Sequence, residues 1–383
     1  MSEPIYITQA KRSPVGTFGG SLSRMATIDL GTHIAKAVIE ESGVPADNFD
    51  SSVWANVVTT IPRDNYTSRA VALEAGLPQS SHAYGVNRLC GSGVQAIISA
   101  AQQLMTGDAK LSLAGGVEVM SQAPYSVEGM RQGRKMGDGR LIDWLTGALT
   151  DPMGNGGMGI TAENIAAKHG ISRERQDEYA LQSQERAAAA IANGEFEEQI
   201  VPVGEFTTDE HPRQTTLEKL GGLRPTFKKD GTVTAGNSSG INDAAAATVM
   251  TNESGLKEFG LEPLAKIVSW GVAGCDPATM GLGPVAAVPK AIDKAGLSLN
   301  DIKLIESNEA FAAQCIAVAD QLGFDNDKTN IQGGAIALGH PIGATGVVLT
   351  TKLIHQLKNA GGGYGLVTAC IGGGQGIALI LEV

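Results

Sequence analysis

The sequence has no apolar run that could cross a membrane, since none approaches the ~18 residues that a spanning helix needs. The segment from Met1 to Thr8 lacks the basic start and long apolar stretch of a secretory signal. Only 4% of the residues are aromatic and 18% are charged, against 42% hydrophobic. The chain is therefore expected to fold around a large aliphatic core, in the cytoplasm and with no membrane partner.

Cysteine is scarce, with four residues in a chain of 383. Their spacing matches no zinc-binding pattern, so no metal site is predicted. Four scattered cysteines are typical of free thiols in a reducing compartment. Basic residues are also in deficit, because 29 lysines and arginines stand against 40 acidic residues. Nucleic acid is thus not an expected partner, although an anionic small molecule needs only a local basic patch.

Glycine, by contrast, is abundant, with 50 residues that cluster at turns. One such turn reads Asn-Arg-Leu-Cys-Gly-Ser-Gly over residues 87–93, after an apolar run at 83–86 and before a helical pattern at 94–105. This order predicts that Cys90 lies between a buried strand and the start of a helix, where backbone N–H groups favour an anion. We expect the Cys90 thiol to ionise more easily than a free cysteine, with flanking glycines that admit a substrate carbonyl.

Predicted strands and helices alternate through the first 120 residues and again after residue 265, which indicates an α/β fold. The order of elements in the second stretch repeats that of the first. The predicted strands include one at 53–58 in the first stretch and those at 330–332 and 364–369 in the second. An internal duplication is therefore expected.

Residues 121–240 are irregular. They contain a helix predicted over 172–193 and capped by Ser172, and a loop that carries the basic residues Arg213, Lys219 and Arg224. We therefore predict an N-terminal half at 1–119 and 240–265, an inserted domain at 120–239 and a C-terminal half at 266–383.

Three polar or reactive residues follow predicted strands in the second half: Asn308, His340 and Cys370. Each has an ordinary structural interpretation, as a helix N-cap, a capping or surface imidazole and a buried thiol respectively. Together with Cys90, however, they lie at strand ends, where open α/β sheets bind ligands. The functional interpretation makes His340 a general base or hydrogen-bond donor and Cys370 an acid/base thiol.

The motifs around these four residues resemble those of the thiolase family, and the resemblance covers essentially the whole chain. They are Asn87-Arg-Leu-Cys-Gly-Ser-Gly, Asn308-Glu-Ala-Phe, Gly333-Gly-Ala-Ile-Ala-Leu-Gly-His-Pro-Ile-Gly-Ala-Thr-Gly and Cys370-Ile-Gly-Gly-Gly-Gln-Gly. The resemblance implies a five-layer αβαβα core built from two duplicated βαβαβαββ halves, with an inserted loop domain. It further implies an acyltransferase whose substrates are acetyl-CoA, acetoacetyl-CoA or other 3-ketoacyl-CoA, and CoA, and which has no permanently bound cofactor. The expected assembly is a homo-oligomer built on a dimer core, namely a tetramer.

The resemblance also implies the role of each residue. Cys90 would take the acyl group, His340 would accept its proton, and Cys370 would act as acid and base at the α-carbon. Asn308 would hold a water that shares one oxyanion site with His340, and the N–H groups of Cys90 and Gly372 would form the other. A Claisen reaction needs such donors because negative charge develops on oxygen. The positions that match the family's CoA channel are Leu149, Met158, Arg213 (nucleotide end), Phe227, Ala235, Ser239, Met280 and Phe311.

The segments Arg134-Lys-Met-Gly-Asp and Val268-Ser-Trp-Gly-Val resemble the biosynthetic, acetoacetyl-CoA class. One departure is Gly157-Met158-Gly159, where that class usually carries His-Met-Gly. The missing imidazole leaves room near the acyl end, so a longer-chain 3-ketoacyl-CoA thiolase of fatty-acid or aromatic-acid degradation is the alternative.

Two other classes of protein compete with a thiolase. The segment Gly91-Ser-Gly-Val-Gln-Ala96 fits a dinucleotide-binding pattern, but no matching acidic residue stands out about 20 residues further on. This interpretation also leaves His340 and Cys370 unexplained. A non-catalytic acyl-CoA or lipid carrier of the same fold would be expected to lack at least one of the four reactive groups, and all four are present.

Overall fold

The structure, a computed structural model, describes residues 3–383; Met1 and Ser2, at the start of the predicted N-terminal half, lie outside it. The strands are β1 (Ile5–Arg12), β2 (Gly16–Thr17), β3 (Ser51–Ala55), β4 (His82–Val86), β5 (Leu111–Val119), β6 (Tyr125–Val127), β7 (Leu141–Asp143), β8 (Thr150–Asp151), β9 (Gly156–Gly157), β10 (Asn242–Asn252), β11 (Ala265–Gly274), β12 (Ile302–Ser307), β13 (Tyr364–Ile371) and β14 (Gln375–Glu382). The helices are α1 (Thr27–Ser42), α2 (Thr67–Glu74), α3 (Ser92–Thr106), α4 (Trp144–Ala148), α5 (Met158–His169), α6 (Arg173–Ala192), α7 (Leu217–Gly221), α8 (Glu253–Phe259), α9 (Gly283–Ala295), α10 (Ala312–Leu322), α11 (Ala335–Leu338) and α12 (Thr345–Asn359).

The main sheet contains the same four-strand arrangement twice, and β4 is an additional edge strand of the first half. Its order is β12-β13-β14-β11-β1-β10-β5-β3-β4, with β2 paired to β10. In the first half β3 pairs in parallel with β4 and β5, and β5, β10 and β1 pair antiparallel. In the second half β12 and β13 are parallel, and β13, β14 and β11 are antiparallel. The two halves meet where residues 5–7 of β1 pair with 265–267 of β11, and the repeated order is the one that a duplication predicts.

Helices cover and separate the two halves of the sheet. The largest apolar cluster joins α3 and α12 to strands of both halves, so these two helices form a central layer. On the outer face of the first half α1 packs against β5 and β10, and on that of the second half α9 packs against β13 and β14. This is the five-layer αβαβα core that the family resemblance implied.

The segment between β5 and β10 carries short strands and four helices, as its irregular sequence predicted. The predicted cap of its longest helix, α6, is present, because the Ser172 hydroxyl accepts a hydrogen bond from the N–H of Arg175 at 3.2 Å. The exact domain boundaries stay a prediction. Across residues 3–383, no helix has both the length and the apolarity to cross a membrane.

Two predicted strands differ from the structure. No strand forms at 330–332; only a single bridge links Thr329 to Ile305, because Asn330 adopts a left-handed φ of +48° and its side chain bonds the backbone of Ser307 instead. The strand predicted at 53–58 runs instead over 51–55, since the N–H groups of Val57 and Val58 turn towards a buried carboxylate, that of Glu118.

Candidate active site

Cys90 lies in a single 3-10 turn, Leu89–Gly91, between β4 and α3. Leu89 takes a left-handed φ of +48°, and its N–H donates to Asn87 Oδ1 at 3.1 Å. A Cβ on Gly91 would lie 2.5 Å from the Cδ1 atom of Ile371, so the glycine leaves room for the Ile371 side chain of β13 to pack against this turn. The sequence thus predicted the turn between a strand and a helix correctly, but β4 is a largely exposed edge strand and not a buried one. The approach of β13 brings Gly372, which follows it, next to the sulfur of Cys90.

The acidity of the Cys90 thiol, however, was predicted wrongly. Burial raises its pKa to about 11, although the N–H groups of Gly372 and of Cys90 itself favour the thiolate and lower it. Cys90 packs against the apolar cluster of Met120, Leu145 and Ile342, and the low polarity of these residues outweighs the effect of the helix start on its pKa. The resting group is therefore a thiol, and a neighbouring base must take its proton during attack. The same two N–H groups are the pair that the resemblance gives as an oxyanion site.

His340 lies between α11 and α12 in a defined tautomer. Its Nδ1 is 2.7 Å from Thr345 Oγ1, and that hydroxyl lies 2.9 Å from the carbonyl oxygen of Pro341. Because the hydroxyl donates its single hydrogen to the carbonyl, it accepts one from Nδ1, which leaves Nε2 unprotonated. Burial lowers the pKa of His340 to about 4, so Nε2 is free to accept a proton at pH 7.

Asn308 is not a helix cap, because the next helix, α10, begins only at Ala312 after Phe311. Its Nδ2 lies 3.5 Å from His340 Nε2. Its Oδ1 is buried and has no hydrogen-bond partner within residues 3–383. A buried acceptor without a partner beside the imidazole fits the water-holding role that the resemblance implies for Asn308.

Cys370 is the second-last residue of β13 and is fully buried in an apolar cluster with Met158, Met280 and Phe311. Burial raises its pKa well above the ordinary value, and the charge of a nearby Cys90 thiolate raises it further. Cys370 is therefore a protonated thiol at neutral pH, near Cys90 and able to donate a proton.

A cavity of about 640 Å³ opens beside His340. Its lining is mainly apolar, and Arg213 adds a permanent positive charge. Of the predicted CoA positions, only Met280 is not part of this wall, because it packs behind it against Cys370. The predicted positions that line the cavity are Leu149, Met158, Arg213, Phe227, Ala235, Ser239 and Phe311.

The cavity also has lining residues that the sequence did not assign to it, among them Phe18, Ile241 and His211. His211 is buried, and burial followed by the charge of Arg213 lowers its pKa to about 4. Its Nδ1 has no partner among the described residues. The carboxylate of the adjacent Glu210 accepts hydrogen bonds from Thr17 and Ser21. These bonds join segments that are far apart in the chain, so no local pattern in the sequence predicts that His211 lines the cavity.

Gly157, the position that departs from the biosynthetic pattern, also lines the cavity. A Cβ placed on it would meet no atom nearer than the carbonyl oxygen of Leu149 at 3.8 Å. The next glycine in the motif, Gly159, is in contrast closely covered, because a Cβ there would lie 2.2 Å from the Phe227 ring. The space beside Gly157 is therefore open, as the missing imidazole predicted.

The described residues contain no group of three or more His, Cys, Asp or Glu side chains that could hold a metal ion. The duplicated core and its paired thiols beside a neutral imidazole have the features of enzymes that transfer acyl groups through a cysteine.

Comparison with known proteins identifies the family. Residues 5–254 match the family described as "Thiolase, N-terminal domain", and residues 261–383 match "Thiolase, C-terminal domain". The chain belongs to the thiolase family of acyltransferase enzymes, which excludes the dinucleotide-binding alternative and the non-catalytic carrier.

Relatives with different names are similar to this chain over its full length. It is 49% identical to the beta-ketothiolase BktB of Cupriavidus necator, over 100% of both chains. The crystal structure of human mitochondrial 3-ketoacyl-CoA thiolase in complex with CoA is 47% identical, with a TM-score of 0.97 over 99% of this chain and 98% of that one. The acetyl-CoA acetyltransferase of Bacillus anthracis is 44% identical, with a TM-score of 0.97 over 100% and 99%.

Proposed function

We propose that the protein is a thiolase that cleaves 3-ketoacyl-CoA with CoA and, in reverse, condenses acetyl-CoA with a second acyl group. The observation that carries the proposal is the setting of His340: its Nδ1 bonds Thr345 Oγ1, burial lowers its pKa to about 4, and the imidazole borders the cavity near a thiol whose pKa is raised. The substrates are coenzyme A thioesters, consistent with the solved complex of the human relative with CoA.

In the first half of thiolysis, Cys90 Sγ attacks the 3-keto carbon and its proton passes to His340 Nε2. The carbonyl oxygen becomes an alkoxide, stabilised by the N–H groups of Cys90 and Gly372. The C2–C3 bond then breaks, and the thiol of Cys370 donates its proton to the acetyl-CoA carbanion. Before this proton transfer the acetyl-CoA fragment is an enolate. Its oxygen lies at the second oxyanion site, formed by His340 and a water held by Asn308. Acetyl-CoA leaves, and the shortened acyl group stays on Cys90.

In the second half, an incoming CoA thiol returns a proton to Cys370 and its sulfur attacks the acyl group. The Cys90–carbon bond breaks, and protonated His340 returns its proton to the Cys90 thiolate. Each protein group thus regains its starting protonation state, and the net change is transfer of the acyl group to CoA and of the CoA thiol proton to the acetyl carbon. Condensation is the same sequence in reverse, with Cys370 removing the α-proton of acetyl-CoA.

Acetoacetyl-CoA is the substrate that the biosynthetic motifs favour. The open space at Gly157 supports a wider range that includes longer 3-ketoacyl chains, because an acyl group can extend where the biosynthetic class usually carries an imidazole. We further propose a homotetramer with a dimer core in the cytoplasm. The hairpin β6–β7 supports the assembly, because Tyr125, Met136 and Leu141 expose 63%, 93% and 70% of their surfaces there; size-exclusion chromatography with light scattering measures it.

Two variants test the reaction. Cys90→Ala should form no acyl-enzyme with acetyl-CoA, as measured by mass spectrometry of the intact protein, because the nucleophile is gone. Cys370→Ala should still be acylated at Cys90 but should fail to release acetoacetyl-CoA. Acylation of the Cys90→Ala chain, or normal condensation by Cys370→Ala, would contradict the assigned roles.

A further inference from the structure

Glu118 is a buried carboxylate that the reaction described above does not use. It lies near the end of β5 with no exposed surface. Its Oε1 accepts hydrogen bonds from Asn56 Nδ2 at 3.1 Å and the Val58 N–H at 3.0 Å. Its Oε2 accepts from the Val57 N–H at 3.1 Å and the Gly343 N–H at 2.7 Å. All four donors point at one side chain, and they come from two different loops.

The first of these loops, at 56–58, supports the nucleophile. Val57 and Cys90 pack against the same apolar cluster, formed by Met120, Leu145 and Ile342. The carbonyl oxygen of Val57 also accepts a hydrogen bond from Asn87 Nδ2 at 3.2 Å, and Asn87 Oδ1 in turn holds the N–H of Leu89. The carboxylate of Glu118 is thus connected through one loop to the strained turn that presents the sulfur.

The second loop carries the base. Gly343 is three residues beyond His340, and this segment lies directly on β5: a Cβ on Gly116 would be 2.4 Å from the carbonyl oxygen of Gly343. A Cβ on Gly343 would be 2.7 Å from Glu118 Oε2. Such a close approach leaves no slack between the carboxylate and the loop, so the position of Glu118 Oε2 sets the position of the segment after His340.

We propose that Glu118 is a positioning residue for acyl transfer. It fixes the loop at 56–58, which supports the Cys90 turn, relative to the loop that carries His340, and so aligns the nucleophile and the base across the two halves of the fold. The inference rests on the proposed thiolase reaction. Two carboxylate oxygens can accept four hydrogen bonds, whereas a glutamine would direct its NH₂ group at two of the donors. A buried donor left without its acceptor is costly, so the loops would separate.

The charge of this group also acts on the nucleophile. Burial raises the pKa of Glu118 to about 7, opposed by the N–H groups of Val58, Gly343 and Val57. The charges that face it are those of Asp243 on β10 and of a Cys90 thiolate, while His340 lies in the loop that it holds. An ionised Glu118 raises the pKa of the Cys90 thiol. Removing the charge of Glu118 should therefore lower the pKa of Cys90, an effect that the loss of a purely structural contact would not have.

Two variants separate geometry from charge. Glu118→Gln keeps the length and removes the charge, and Glu118→Asp keeps the charge and withdraws it by one methylene. We expect kcat for acetoacetyl-CoA thiolysis to fall about 10- to 100-fold in both, with KM for CoA unchanged, because misplaced groups slow the chemical step. The pH profile of Cys90 alkylation by iodoacetamide should shift to lower pH in Glu118→Gln only.

Asp50→Asn is the matched control. The Asp50 carboxylate also accepts backbone N–H groups, those of Lys110 and Leu111, but at the opposite end of β5. This variant should change neither kcat nor the alkylation profile.

Unchanged kcat per folded molecule in both Glu118 variants, or the same alkylation profile in Glu118→Gln and wild type, would overturn the proposal. If Glu118→Gln does not fold, the kcat of Glu118→Asp decides. A wild-type protein without thiolase activity would instead refute the proposed function, and the alkylation profiles would still test the contact between Glu118 and the nucleophile.

Discussion

Gly93 and Gly346 place the backbones of α3 and α12 in direct contact. A Cβ on Gly93 would lie 2.7 Å from the Gly346 nitrogen, and one on Gly346 would lie 2.2 Å from the Val94 nitrogen. These helices follow Cys90 and His340 respectively, in equivalent positions of the two duplicated halves. The crossing of two small residues therefore determines how closely the nucleophile and the base approach each other, and duplication supplies each half with one of them.

A methyl group at this crossing should separate the helices. We expect Gly346→Ala to lower the free energy of unfolding by about 1–3 kcal/mol or more, as overpacking does, and to reduce kcat because Cys90 and His340 move apart. Urea unfolding and thiolysis kinetics measure the two effects. Gln102→Ala, at an exposed position of α3, is the control and should change neither; wild-type stability and kcat in Gly346→Ala would contradict the close contact.

The hydroxyl of Thr345 fixes which nitrogen of His340 is basic. Thr345→Val keeps the shape but removes the acceptor of the Nδ1 hydrogen, so the imidazole can adopt the tautomer that leaves Nε2 protonated. We expect kcat to fall about 10- to 100-fold, with little change in KM for CoA. Thr345→Ser retains the acceptor and should keep most of the activity. Equal activity of the serine and valine variants would show that the hydrogen bond does not set the tautomer.

The order of most elements and the turn that carries Cys90 were predictable, because glycines and apolar runs are local features of the sequence. The strand expected before His340 does not form, so His340 lies between two helices and not at the end of a strand. The acidity of Cys90 was not, because the residues that bury it, such as Met120 and Ile342, are remote in the chain. The same reason explains why Glu118 and His211 were not assigned: the bond from Gly343 to Glu118 spans 225 residues. The position of Met280 shows a related limit, since an apolar residue near a site can line the cavity or pack behind it.

Gly157 provides a direct test of chain-length selection. Gly157→His should leave thiolysis of acetoacetyl-CoA largely intact and lower the rate with longer 3-ketoacyl-CoA, because the imidazole would occupy the open space beside the acyl group. The ratio of kcat/KM for 3-ketooctanoyl-CoA to that for acetoacetyl-CoA measures the effect. Gly221→His adds the same side chain in open space on α7, away from the cavity, and should leave the ratio unchanged. A ratio unaffected by Gly157→His would place the longer chains elsewhere.

The two buried histidines of the site should make the protein less stable in acid. Burial holds the pKa of His211 and of His340 at about 4, below the ordinary 6.5 of the unfolded chain. The unfolded chain therefore binds protons that the folded one does not, so this contribution to stability is complete above pH 6.5 and is lost as the pH falls from 6.5 through 4.

His211→Leu isolates one of these protons. Below pH 6.5 the free energy of unfolding of the variant should fall less steeply than that of the wild type, by up to about 1.4 kcal/mol per pH unit. Between pH 7 and 8 the His211 imidazole is neutral in both the folded and the unfolded chain. The difference in free energy of unfolding between variant and wild type should therefore be constant in this range, which serves as the internal reference. Urea midpoints measured from pH 8 to pH 4.5 give both slopes. Parallel slopes over the whole range would mean that His211 takes up its proton without unfolding, and that the cavity is more hydrated than the burial of its imidazole indicates.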